Sequence, residues 1–316
     1  MDCEARAELR GHAGRVVALL AHPSRPLLVS GGGGEGLVRV WDLETRALLR
    51  TLAGHRHVVW GLAFCPDGTR LATGSRDATV NLWDFDSGER LHTLCNDSMR
   101  AVHAVAWDAA GACLASGSND GGVRVYNAAS GALRHKLAGH RAPVGALAVR
   151  PGDDLLASGS ADRTVRLWRF STGALVRTLA GHEREVMALA ASAHWLLSGS
   201  TDRSVRVWSW DGICARVLKT ARQLYWNSLA WRDSTFLTLE YMEYRYDDTR
   251  VHVWDASAAN PSAWSCVGTL GKASSHYGVA AAGGRAMYAA PGDAIALHAL
   301  RTPRERRGIR RPAARV

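Results

Sequence analysis

The chain has 316 residues, 47% of them hydrophobic, and a formal net charge of +10; this length can bury one large core or two ordinary ones. Its six cysteines include no Cys-x-x-Cys pair, which argues against a structural zinc site and favours a reduced intracellular chain. No stretch reaches the ~18 apolar residues of a membrane span, and residues 1–9 resemble neither a secretory signal nor a transit peptide. We therefore expect a soluble cytoplasmic or nuclear protein.

Two short motifs recur along the chain with the same period. A Trp-Asp pair, or a variant of it, recurs at spacings of 40 to 46 residues, at Trp41-Asp42, Trp83-Asp84, Tyr126-Asn127, Trp168-Arg169, Trp208-Ser209 and Trp254-Asp255. A Gly-His pair interleaves with it at Gly11-His12, Gly54-His55, Gly139-His140 and Gly181-His182. Two interleaved series of one period predict an array of equivalent units.

The unit from Gly54 to Leu94 predicts four short strands separated by turns. The strands are expected over residues 58–64, 71–74, 79–83 and 90–94, where β-forming residues and period-2 alternation are found. Four antiparallel strands per unit are typical of a β-propeller blade. Because one blade cannot bury both of its faces, the blades must stack around an axis.

Three units share a His before the first strand, a Ser or Thr on the second, an Asp in the next turn and a Trp on the third. This pattern resembles the WD-repeat (beta-transducin-like) family of propellers, over nearly all of positions 7 to 300. The resemblance implies that each set is a structural hydrogen-bonded network, not a hydrolytic triad. The complete sets are His55, Thr73, Asp77 and Trp83; His140, Ser158, Asp162 and Trp168; and His182, Ser198, Asp202 and Trp208.

Three other units depart from the pattern, and we expect their blades to be less rigidly braced. The first has Glu35 in place of Asp, inside the run 31–36, which predicts a flexible turn and no phosphate loop. The third has Tyr126 for Trp and Asn96-Asp97 for Gly-His. The sixth lacks the His and carries an insertion near residues 240–247.

We predict an all-β fold over residues 1–300, a seven-bladed β-propeller of four-stranded antiparallel blades. Residues 266–300 can finish the sixth blade and supply three weak strands of a seventh. Residues 7–12 have the same form as residues 49–55. The N-terminal strand is therefore expected to join the last blade and close the ring, which removes exposed sheet edges.

Residues 301–316 form an arginine-rich tail with one acidic residue. Its composition predicts disorder. Its arginines are candidates for contact with phosphate, as in RNA, or with an acidic surface; a solvated tail without a specific partner is the alternative. These arginines are Arg304, Arg306, Arg307, Arg310 and Arg311.

No phosphate loop, metalloprotease motif or nucleophile elbow is present, so we expect no enzyme, no cofactor and no metal. WD-repeat proteins typically bind partners at the face that carries the loops before the first strand and between the second and third. By position, the resemblance nominates Arg15, Trp60, Arg76, His103, Asn119, Glu185, Met187, Tyr225, Asn227, Asp247 and His276.

The insertion in the sixth unit interleaves three tyrosines and a methionine with charges, which favours an interaction loop. The alternative is an extended hairpin whose tyrosines alternate between solvent and the neighbouring blade. The candidate contact residues are Tyr241, Met242, Tyr244 and Tyr246.

The leading hypothesis is a non-enzymatic scaffold or adaptor that recruits proteins into a multiprotein complex through the propeller face. An RNA- or ribonucleoprotein-associated factor that uses the basic tail is one alternative. A substrate-recognition subunit of a ubiquitin ligase is another. Against one route to a ligase, no unit contains the Trp-Asp-x-Arg sequence associated with cullin-4 docking.

Overall fold

The structure is a computed structural model that describes residues 7–95, 97–232, 234–242, 245–273, 279–282, 285–289 and 295–299. These residues form 28 β-strands, and one 3-10 turn, Pro261–Ala263, is the helical element among them. Within this part of the chain, no helix is long and apolar enough to cross a membrane.

Six four-stranded antiparallel sheets are each built from four consecutive strands. The first three are β2 (Val16–Ala21), β3 (Leu27–Gly32), β4 (Leu37–Asp42) and β5 (Leu48–Ala53); β6 (Val59–Phe64), β7 (Arg70–Ser75), β8 (Thr79–Asp84) and β9 (Arg90–Cys95); and β10 (Val102–Trp107), β11 (Cys113–Ser118), β12 (Val123–Asn127) and β13 (Leu133–Leu137). The next three are β14 (Val144–Val149), β15 (Leu155–Ser160), β16 (Val165–Arg169) and β17 (Leu175–Leu179); β18 (Val186–Ala191), β19 (Trp195–Ser200), β20 (Ser204–Ser209) and β21 (Cys214–Lys219); and β22 (Gln223–Arg232), β23 (Thr235–Met242), β24 (Arg245–Asp255) and β25 (Ser265–Ala273).

A further four-stranded sheet combines strands from the two ends of the described chain. It has the order β1-β28-β27-β26 and consists of β1 (Ala7–Leu9), β26 (Val279–Ala282), β27 (Arg285–Ala289) and β28 (Ile295–Ala299). The antiparallel register aligns Ala7 with Leu297 and Leu9 with Ile295. In contrast to the six sheets of consecutive strands, this sheet therefore pairs strands that are far apart in sequence.

The first strands of successive sheets contact one another: β2 contacts β6, and the series continues through β10, β14, β18 and β22 to β26, which also contacts β2. Residues of β2, β6, β10, β14, β18 and β22 line a cavity of about 330 Å³, among them Leu62, Val105, Leu147 and Leu189. The all-β class and the propeller of four-stranded antiparallel blades are confirmed.

Glycine on the second strands allows neighbouring blades to approach closely. A Cβ atom on Gly74 would lie 2.9 Å from Cγ1 of Val102 in the next blade, and one on Gly159 would lie 2.9 Å from Cγ1 of Val186. Such distances are shorter than van der Waals contact. The blades therefore pack through side chains on one sheet and bare backbone on the other.

Leu9 connects the composite sheet to the rest of the core, and its substitution provides a test. It is 1% exposed and belongs to one apolar cluster with Ile295, Met287 and Trp41. Leu9→Ala should lower the free energy of unfolding by about 2–5 kcal/mol, because it removes buried methyl groups and leaves a cavity. Denaturant unfolding measures the change; Glu8→Ala, at an exposed neighbour, is the control. Equal stability of the two variants would contradict the packing of β1.

Candidate functional site

Each regular blade contains one hydrogen-bonded network centred on a hydroxyl group. In the second blade, Nε1 of Trp83 donates to Oγ1 of Thr73 at 3.0 Å, and Nε2 of His55 lies 2.7 Å from the same oxygen. Nδ1 of His55 lies 3.0 Å from Asp77. Because an ionised carboxylate only accepts hydrogen bonds, His55 donates through Nδ1 and a neutral ring accepts the hydroxyl proton at Nε2.

The same connections recur in the fourth and fifth blades. Nε1 of Trp168 donates to Ser158 at 2.8 Å, and His140 lies 2.7 Å from Asp162. In the fifth blade the partners are Trp208 with Ser198 at 2.8 Å and His182 with Asp202 at 2.7 Å. All three histidines are buried, so the network satisfies polar groups that water does not reach.

The aspartates of these networks have lowered pKa values, which favours their ionised form. Burial raises the pKa of Asp162, but hydrogen bonds from Thr164 and His140 outweigh it and lower that pKa to about 2. Similar hydrogen bonds hold the pKa of Asp77 and Asp202 well below the usual range. Burial also lowers the pKa of His140, which favours the neutral ring. The networks therefore stay intact at neutral pH.

The acidic residue of each network also fixes the loop before the first strand. Asp77 accepts a hydrogen bond from the backbone N–H of Arg56 at 2.9 Å, and Asp162 accepts one from Arg141 at 3.2 Å. The residue held in this way directly follows the network histidine, and its side chain is exposed. The network therefore fixes the backbone of the residue after the histidine, while packing does not constrain the side chain of that residue.

A second set of hydrogen bonds ties this loop to the turn between the second and third strands. The backbone N–H of Arg76 donates to Val58 at 2.9 Å, and that of Asn119 donates to Ala101 at 2.9 Å. In an antiparallel meander these two connections lie at the same end of the blade. We call this end of the propeller the loop face.

The first blade corrects the expectation of weaker bracing. Trp41 donates to Ser30 at 2.8 Å, and Nε2 of His12 lies 2.6 Å from the same oxygen. Glu35 pairs with Nδ1 of His12 and with Arg39. Glu35 thus takes the place of the aspartate, and the network is complete.

The third blade also corrects that expectation, because an arginine replaces the missing histidine. Arg124 is 1% exposed, and it donates to Asp97 and to Asp120, each at 2.6 Å. Asp97 is further paired with Lys136 at 2.8 Å. Burial raises the pKa of Asp120, but hydrogen bonds from Arg124 and Ser98 outweigh the effect of burial. They hold the pKa of Asp120 well below its usual range.

The sixth blade replaces the network differently. Trp254 donates to Thr238 at 3.1 Å. Glu240 is 3% exposed and aligns with Leu224, and the second to fifth blades have a serine at the same strand position. Burial raises the pKa of Glu240 to about 7, and His252 lies 3.5 Å away. The sequence pattern indicated that the histidine is missing, but it did not predict that Glu240 is buried.

The nominated contact residues fall into three groups. Arg15, Arg76, Asn119 and Glu185 are exposed on the loop face, and Trp60 and Met187 are half-buried there. His103 is 9% exposed, with its ring centroid 5.9 Å from that of Trp60. Its ring therefore supports Trp60 from beneath the loop face, and its nomination as a contact residue stays a prediction.

Other nominated residues lie wholly or partly outside the described structure. For Tyr225, Asn227 and Asp247 the structure describes the backbone strand but not the side chain, and His276 lies outside the described residues. The tail arginines Arg304, Arg306, Arg307, Arg310 and Arg311, and with them the boundary at residue 300, also lie outside them.

The insertion in the sixth blade is an extended hairpin over its described residues. Tyr241 and Met242 end β23, Tyr246 is near the start of β24, and Met242 aligns with Arg245. Tyr244 lies outside the described residues. The backbone is thus the hairpin that the sequence allowed as the alternative to an interaction loop.

The four-stranded blades and their repeated network together define a repeat protein of the β-propeller class. The family model described as WD domain, G-beta repeat matches residues 3–42, 46–84, 88–127, 131–169 and 173–209. The chain belongs to this family. Each match from 46 onward starts before the last strand of one blade and ends on the third strand of the next, so the sequence repeat is offset from the blade.

Individual relatives match only part of the chain. It is 36% identical over 156 residues to WD repeat-containing protein VIP3 of Arabidopsis thaliana, which covers 45% of this chain and 48% of that protein. It is 33% identical over 104 residues to small ribosomal subunit protein RACK1 of Neurospora crassa, covering 32% and 33%. It is also 36% identical over 104 residues to anaphase-promoting complex subunit cdc20 of Dictyostelium discoideum, covering 32% and 20%.

Removal of Arg124 tests the network of the third blade. Arg124→Met should lower the free energy of unfolding by about 1–3 kcal/mol, because it removes the buried guanidinium group that donates to Asp97 and Asp120, whose side chains are partly exposed. Lys136→Met, at the exposed partner of Asp97, should cost at most about 1 kcal/mol. Denaturant unfolding compares the two. A small loss for Arg124→Met would show that the ion pairs do not brace the blade.

Glu240 makes stability depend on pH. Its pKa is raised in the folded state to about 7, so the folded chain retains a proton that the unfolded chain releases at lower pH, and stability falls as pH rises through this window. Glu240→Gln removes the effect. Relative to the parent, it should gain about 1–3 kcal/mol between about pH 5 and about pH 8, measured by unfolding at both. A difference that does not change with pH would contradict a raised pKa.

Proposed function

We propose that the chain is a non-enzymatic scaffold or adaptor that binds one or more proteins through the loop face. Members of the WD-repeat family typically mediate protein–protein interactions in complexes. The observation that supports the proposal most directly is the double anchoring of the loop face by the network acids and by the backbone hydrogen bonds between neighbouring loops. A surface that is rigid before binding loses little conformational entropy on association.

The same reasoning favours binding over catalysis. In the described part of the chain, no group of three or more His, Cys, Asp or Glu side chains is placed to hold a metal ion. The His, Ser and Asp groups that could resemble a triad are occupied by one another and by a tryptophan N–H. We therefore assign them a structural role.

We also propose that the blades form one closed ring of seven. The pairing of β1 with β28 and the contact of β26 with β2 support this closure. Closure would fix the loops of all blades in one plane.

Two parts of the proposal concern the tail and the location of the protein. The arginines of residues 301–316 are proposed to contact RNA or an acidic partner, which removal of those residues would test by a loss of salt-sensitive affinity. The protein is proposed to act in the cytoplasm, the nucleus or both. A ligase substrate-recognition role remains an alternative to the general scaffold.

Trp60 provides the test of the loop face. Trp60→Ala should lower the retention of captured partner proteins by about tenfold or more, as for an aromatic interface anchor. Trp195→Ala is the matched control, because Trp195 is also half-buried but lies at the opposite end of its blade. Quantitative affinity capture from cell extract, with melting temperatures of both variants, measures the effect. Equal retention by the two variants would contradict the assignment of this face.

A further inference from the structure

The exposed charges of the propeller differ between its two ends. On the loop face of the second to fourth blades, the exposed arginines include Arg56, Arg76, Arg100 and Arg141, with Arg163 in the turn of the fourth blade. We call the first four residues the arginine arc. At the opposite end, exposed arginines such as Arg46 and Arg169 are accompanied by exposed acids in the connections of the first, second and fifth blades, namely Glu44, Asp67, Asp86, Glu89 and Asp211.

The carboxylates of the second to fourth blades that share the loop face with the arc already have partners within the chain. The side chains of Asp77 and Asp162 are 9% and 11% exposed, and their oxygens already accept hydrogen bonds from histidine, threonine and backbone groups. Asp97 is 53% exposed, but it is paired with Arg124 and Lys136. A partner therefore meets the guanidinium groups of the arc beside carboxylates that are already paired.

Arginines of this chain that have a structural role look different. Arg124 and Arg39 lie on third strands, are buried and pair with Asp or Glu. Within the described residues, the guanidinium groups of Arg56, Arg76 and Arg141 make no ion pair or side-chain hydrogen bond. Their backbone N–H groups, by contrast, are held at 2.9 Å, 2.9 Å and 3.2 Å. Charge without a structural partner on a fixed backbone suits recognition.

Trp60 lies on the loop face of the same blade as Arg56 and Arg76, half-buried and supported by His103. We propose that the arc and Trp60 bind an extended, acidic segment of a partner protein. Its carboxylates meet the guanidinium groups, and an apolar side chain packs on Trp60. This inference rests on the proposed scaffold function and names the chemical class of its partner.

The described residues favour a protein segment over a nucleic acid. Single-stranded nucleic acid is bound by several aromatic side chains on which successive bases stack. Among the described loop-face positions of the second to fourth blades, Trp60 is the accessible tryptophan, tyrosine or phenylalanine, and its ring already packs against His103. Exposed Glu183 and Glu185 on the fifth blade would also repel a phosphate chain that continued past the arc.

The test measures binding of a fluorescein-labelled, glutamate-rich peptide of about ten residues with two central leucines, by anisotropy with the full chain. The arc variant is Arg56→Ala, Arg76→Ala and Arg141→Ala together. The control combines Arg46→Ala, Arg169→Ala and Arg177→Ala, which remove the same charge from exposed positions away from the loop face. The tail is present in all versions, so its contribution is constant.

The peptide should bind the parent and the control equally, with an affinity that falls as salt rises, and the arc variant about tenfold more weakly. Equal affinity of the two triple variants would overturn the inference. So would tighter binding of an oligouridylate of about ten nucleotides that depends on the arc, since it would assign the surface to nucleic acid.

Affinity capture with the arc variant separates this inference from the scaffold proposal. Loss of the captured proteins in both the arc and the Trp60→Ala variants supports both. Retention in the arc variant with loss in Trp60→Ala leaves the scaffold proposal intact and overturns the acidic partner. Retention in both variants, with melting temperatures at the parent value, contradicts binding at this face altogether.

Discussion

The structure depends on one repeated interaction, in which a tryptophan N–H and a histidine share a single Ser or Thr hydroxyl on the second strand. In the second blade this oxygen is Oγ1 of Thr73, which joins the third strand to the loop before the first. Because the hydroxyl, the ring and the indole are all buried, each group would cost free energy if left unpaired. The network thus selects one arrangement of four strands and a loop.

The interaction tolerates substitution when a donor can still reach the acid in the turn. In the first blade this acid is Glu35, whose side chain is longer than that of aspartate, and Arg39 also donates to it. In the third blade, Arg124 bridges Asp97 and Asp120 where the histidine is absent. The donor to the acid has moved from a ring in the loop to a guanidinium group on the third strand, while the acid in the turn is retained.

The period of the Trp-Asp series was sufficient to predict the propeller and its four-stranded blades, because local alternation and turn residues agree with the repeat. The bracing of the irregular blades could not be predicted in this way. Arg124 pairs with an acid 27 residues away in sequence, and the burial of His103 depends on its position beside Trp60 of the neighbouring blade. The first pairing lies within one unit but uses residues that the repeat motif does not contain. The second depends on a contact between units, whereas a motif describes one unit at a time.

The exposed loop residues vary between blades because the network holds their backbone and not their side chains. The residue after the histidine is Arg56 in one blade, Arg141 in another and Glu183 in a third, and the same backbone hydrogen bond to the network acid holds each of them. Packing therefore leaves these positions free to differ, and their sequence carries the charge pattern of the face. The residue that repeats in each blade, the network histidine, is thus directly followed by the residue that differs between blades.

The composite sheet also bears on how the chain is made. A ribosome releases β1 first, yet its partner β28 begins at Ile295. The intervening blades, built from consecutive strands, can fold as they emerge, since domains and their parts fold in order of synthesis. Until β27 and β28 have been made, the apolar cluster of Leu9 lacks Met287, Ile295 and Leu297, and the newest blade presents an unpaired edge. The pairing of β1 therefore waits for strands made almost 290 residues later.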